Sequence, residues 1–109
     1  MKRIVNLTPH NINIWDEGGL NELQTVEPSG VIARCAITQE IVGRIYAVSL
    51  FRVSYGEVED LPEEKENTIF IVSLLVRLGS PERQDLASPG ELIRDNEGKP
   101  VGCKGLVIN

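Results

Sequence analysis

Apolar and polar residues alternate with a period of two along most of this chain, which is the signature of half-buried β-strands. In "RIVNL" Val5 and Leu7 share a face, and in "NINIW" Ile12 and Ile14 do so. The two sets have opposite parity, and the change falls at "TPHN", residues 8–11. A strand can keep one face on a core across such a change only with a bulge or kink. Pro9 cannot donate to a ladder, so the break is expected in an edge strand.

Further along, "LQTVEPSG" reads as a short strand ended by Pro28 and Gly30. "VIARCAIT" places Val31, Ala33, Cys35 and Ile37 on one face, and "RIYAVSLFRVSYG" reads as one β-branched and aromatic strand closing at Gly56. "TIFIVS" is almost continuously apolar, as a strand covered on both faces should be. At "SLLVRLGSPER" the period changes: Leu74, Leu75 and Leu78 fall at helical spacing, Ser73 can cap the start, and Gly79 with Pro81 stops it. The spacing predicts a helix over residues 73–80. "QDLASPG" reads as a loop, and "ELIRDNEGKPVGCKGLVI" as a hairpin turning at "DNEGK". The expected fold is one mainly β domain over residues 1–109, a small antiparallel barrel or sandwich with one short helix.

Charge narrows the function classes. Sixteen acidic against 11 basic residues leave a net charge of −5, so no basic face is expected for duplex nucleic acid. No apolar run reaches the roughly 20 residues that span a bilayer, and "MKRIVN" lacks the apolar core of a signal peptide. The expected location is the cytoplasm. Cys35 and Cys103 stand apart without metal-ligand spacing, so both are expected to be reduced, and no metal or cofactor is called for. The apolar strands in so short a chain, with an edge at Pro9, lead us to expect a homo-oligomer, a dimer first.

No Walker loop, Rossmann glycine pattern, zinc-protease motif or nucleophile elbow occurs, so no catalytic residue is assigned. The candidates for binding are of three kinds. His10, the only histidine, with the Thr8 hydroxyl, sits at the kink and can serve architecture or contact a ligand. Arg83, Ser88, Gly90 and Arg94 lie in "SPERQDLASPGELIRD", where guanidinium forks and loop amides can receive an anion or can pair internally with Asp85 and Asp95. Arg34, Arg52 and Tyr55 sit on apolar strands; Tyr55, like Trp15, can stack on a base or pack at a sheet edge.

Taken together, "NLTPHNINI", "TIFIVS" and "PERQDLASPGELIRDNEGKPVGCKGL" resemble a family of small proteins of bacteria and their phages whose most recognisable feature is the "LTPH" opening. The resemblance covers most of the chain, implies a phage or prophage setting, and brings no settled catalytic residues. In that setting the expected function is non-enzymatic sequestration of an anionic nucleotide-like signal, a cyclic nucleotide or ADP-ribose derivative, as an anti-defence device. Two alternatives stand beside it: a protein–protein inhibitor of a host defence protein, and a small nucleotide-processing hydrolase. The kink and the "PERQDLASPG" loop are expected to converge on one pocket.

Overall fold

The computed structural model describes residues 3–109. It contains β1 (Arg3–Asn6), β2 (Ile12–Trp15), β3 (Glu22–Val26), β4 (Arg34–Ile45), β5 (Val48–Glu59), β6 (Thr68–Ile71), α1 (Leu74–Gly79), β7 (Leu86–Arg94) and β8 (Pro100–Ile108). Six strands form one sheet in the order β1-β6-β7-β8-β2-β3, and β4 with β5 forms a separate two-stranded ribbon. The fold is mainly β with one short helix, as the sequence predicts, and the large sheet curls into a nearly closed barrel. Its pairing is mixed: β1–β6, β6–β7 and β2–β8 are parallel, whereas β7–β8 and β2–β3 are antiparallel.

β6 shows why the run "TIFIVS" is continuously apolar. Ile71 lies inside the curl with Ile14, Val26 and Cys103. Phe70 and Val72 point the other way, into a cluster with Leu7, Ala33, Val76 and Leu86. Each of the Val, Leu, Ile and Phe side chains among them contributes on the order of 1.5–3 kcal/mol by leaving water. Two cores therefore back onto one strand. α1 closes the second of them with Val76 alone. Leu74, Leu75 and Leu78, which mark the helix in the sequence, remain exposed. Its start is capped as expected, the Val76 amide donating to the Ser73 hydroxyl at 3.3 Å.

The "TPHN" break is not a bulge in one strand. β1 and β2 are different strands at separate places in the sheet, and residues 7–11 pass between them. The buried side chain of Asn6 shapes that passage. Its Nδ2 donates to the His10 carbonyl (2.7 Å) and the Val26 carbonyl (3.0 Å), while its Oδ1 accepts from the Thr8 amide (2.9 Å) and hydroxyl (2.7 Å). The Asn6 carbonyl also accepts from the Ser29 amide, and Asn6 bridges to Pro28 just past β3. One residue at the end of β1 thus ties the first strand of the sheet to the region following the last one.

Two further expectations are corrected. "RIYAVSLFRVSYG" is not one strand: β4 ends at Ile45, and Tyr46–Ala47 turns the chain into β5. The turn carries no Asn-Gly or Asp-Gly signal; Tyr46 itself takes the left-handed position, with φ 54°. "QDLASPG" is not a loop from Leu86 onward, because Leu86, Ala87 and Ser88 are the buried start of β7. Pro89 lies opposite Leu106 of β8 and past the last β6 pair at Ala87, so on the β6 side no strand is left to miss its amide hydrogen.

Asn6→Ala strips partners from a buried carbonyl, amide and hydroxyl at once, and should cost about 3 kcal/mol. Urea unfolding measures it, with exposed Asn11→Ala as a control expected within about 0.5 kcal/mol of the parent.

Candidate functional site

The kink and β7 do meet. His10, Asn11, Ile12 and Asn13 form one wall of a surface groove of ≈ 360 Å³, and Pro89, Leu92, Pro100, Val101, Gly102 and Cys103 form the other. Residues 10–13 reach it because Asn6 holds the His10 carbonyl, which leaves the imidazole outside the junction. Gly102 brings the two walls close together, since a Cβ there would strike the Trp15 indole and the Asn13 carbonyl. Trp15 is half-buried, and its indole nitrogen, covered by that glycine, is buried without a hydrogen-bond partner among the described residues. Burial pushes the Cys103 thiol up, against a smaller opposing effect of the Gly90 amide, so at neutral pH it is a weak nucleophile. Apolar residues with one imidazole and two carboxamides make a lining suited to a partly apolar, uncharged ligand.

The arginines lie elsewhere. Arg83 donates to both oxygens of Asp85 at 2.8 Å and to the Pro62 carbonyl at 2.9 Å, with Glu64 at 3.6 Å. It clamps the Pro62 loop to the start of β7. Hydrogen bonding to Arg83, more than its charge, holds the Asp85 carboxyl below the ordinary carboxylate range, and the same bond raises Arg83. Arg94 donates to the Gly98 carbonyl at 2.8 Å and closes the β7–β8 turn. Ser88 is buried and accepts from Arg77 Nε at 2.8 Å, and Thr8 belongs to the Asn6 junction. A Cβ at Gly90 would run into the Lys104 carbonyl, so that glycine permits close strand approach. Arg34, Arg52 and Tyr55 stand on the ribbon, opposite Glu59, Glu40 and Ile37. Of the sequence candidates, only His10 lines the groove.

The ribbon is the feature sequence reasoning missed. β4 and β5 run 12 residues each, about 40 Å at roughly 3.3 Å per residue. The radius of gyration is 16.3 Å, where a compact chain near this length has about 13 Å. Only the base of the ribbon is packed: Cys35 and Val58 join the core beneath α1, and Gly79 leaves no room for a Cβ beside the Cys35 sulfur. Beyond the base, Ile37, Ile41, Val42, Ile45, Tyr46, Val48, Leu50, Phe51, Val53 and Tyr55 are all exposed, Tyr46 at the tip by 99%. Opposed residues share a face, so Ile37–Tyr55, Gln39–Val53 and Ile41–Phe51 form one uncharged strip continuing from Cys35–Val58. Thr38–Ser54 and Glu40–Arg52 form the polar reverse. A register shift between Ile41 and Gly43 inverts the pattern, so Ile45–Val48 and Gly43–Leu50 carry apolar surface to the other side at the tip.

No family model, curated protein or solved structure matches the chain. Among the described residues, no three His, Cys, Asp or Glu side chains are grouped to hold a metal ion, and no helix is long and apolar enough to cross a membrane.

Asp85 is held below its ordinary pKa when folded, so its contribution is present above about pH 4 and is lost as pH falls through the depressed value. Asp85→Asn should therefore flatten the acid limb of stability against pH, read by thermal melts between about pH 2 and 7. At neutral pH, Arg83→Ala should cost about 2 kcal/mol by stranding that carboxylate.

Proposed function

We propose that the protein acts by contact and not by turnover, as a protein-binding module whose working part is the β4–β5 arm. The observation that carries this reading is the arm's exposed apolar surface. Soluble monomers seldom expose contiguous apolar patches beyond a few hundred Å² without a docking purpose. An isolated two-stranded hairpin is also marginally stable in water, so a ribbon of this length gains most of its order from what covers it. This favours the protein–protein alternative of the sequence reading over sequestration of an anionic nucleotide. An inhibitor of a host protein would use the same surface. The phage and anti-defence setting is supported by the "LTPH" resemblance alone.

A second reading, small-ligand binding, is favoured by one observation: His10 and β7 converge on a single groove. No arginine or lysine among the described residues lines it, which favours a neutral ring over a phosphate as its ligand class. Dialysis against adenosine and ADP-ribose separates the cases. Preferential retention of adenosine supports the groove, and preference for ADP-ribose restores the anionic ligand.

The arm reading is tested by placing a photo-crosslinking side chain at Tyr46 and, as a control, at Glu97 in the β7–β8 turn, in the producing cell. Discrete protein adducts are expected from position 46 and not from position 97. Equal or absent labelling at the two positions overturns the reading.

A further inference from the structure

Resting on the arm reading, we infer that the arm's partner is a second copy of this chain, docked face to face through the strip headed by Ile41 and Phe51. The first support is the distribution of charge. Arg34–Glu59 contains Arg34, Arg44 and Arg52 against Glu40, Glu57 and Glu59, a net charge of zero. The whole −5 therefore resides on the rest of the chain. Two arms can approach without like-charge repulsion, whereas two barrels repel one another. A two-fold, antiparallel overlap of arms about 40 Å long leaves the acidic barrels at opposite ends.

The second support is area. The strip offers Ile37, Ile41, Phe51, Val53 and Tyr55. At the exposures these five side chains show, they present on the order of 450 Å² if a large side chain offers about 150–250 Å² in full. That is more than half of the roughly 800 Å² each partner buries in a standard interface. No charged side chain interrupts the strip between Cys35–Val58 and the register shift, so none has to be desolvated. The third support is supply. Cover for a hairpin that is marginal alone must be present whenever the chain folds, and a second copy meets that condition at fixed stoichiometry.

Sedimentation equilibrium on the intact chain at tens of micromolar should give twice the 12.0 kDa chain mass. Ile41→Glu with Phe51→Glu should weaken association at least about a hundredfold while the Trp15 near-ultraviolet signal, which reports the barrel, persists. Ser54→Glu, on the polar reverse of the same strand, should leave the dimer intact and shows that a new carboxylate on β5 is tolerated. A monomeric parent, or a dimer that survives both face substitutions, overturns the inference. A monomeric parent whose position-46 crosslinks join a different protein overturns the self-partner while leaving the arm reading standing. Absence of any adduct removes both.

Discussion

The carboxamide of Asn6 is the point through which the barrel, the kink and the arm are connected. It lies fully inside, 1% exposed, and every one of its polar atoms is used. Burying an amide without partners costs several kcal/mol, so this geometry persists only because the passage at residues 8–10 and the end of β3 converge on it together. Its backbone carbonyl takes the Ser29 amide, and the next residue's carbonyl takes Ala33 at 3.1 Å. β4 begins one residue later. The junction that closes the sheet therefore also sets the root from which the arm departs.

From that root the molecule divides into two parts with different sources of order. The barrel is self-sufficient: Ile71, Val72, Val76, Leu86 and Ala87 are completely buried, and parallel neighbours flank β6 on both sides. The arm past Ile37 has no such support. Its ladder satisfies the backbone, but both faces remain wet, and apolar residues occupy positions where a solvated ribbon would carry charge. Sequence and structure disagree locally along the arm as an isolated element, and such disagreements concentrate where proteins do their work. The proposed contact function rests on that mismatch, whereas the His10 groove follows from ordinary packing around the same junction.

Much of the fold was legible because its determinants are local. Ser73, Gly79 and Pro81 bracket the helix, "DNEGK" marks the last hairpin, and the unbroken run at residues 68–72 identifies a strand covered twice. What stayed hidden depends on contacts distant in sequence. The arm's turn is made by Tyr46 and Ala47, neither of which signals a reversal, so two strands read as one. Ser88 and Arg83 look like anion-binding groups until their partners, Arg77 and Asp85 with the Pro62 carbonyl, are in place. Arginines beside Gly and Pro do not say whether they hold a ligand or a loop. Asn6 gave a usable signal, a polar residue ending an apolar strand immediately before the parity change, but its significance depends on Val26, twenty residues away.

The proposed division between a self-sufficient barrel and an arm ordered by a second copy is tested most directly by hydrogen exchange, amide by amide, at two protein concentrations. Amides of β6 and of buried β7 should exchange slowly and at the same rate in both. Those of β4 and β5 between Ile37 and Tyr55 should exchange fast in dilute protein and slow by at least about tenfold when concentrated. Arm amides as protected as the barrel in dilute solution, with no response to concentration, would contradict the account.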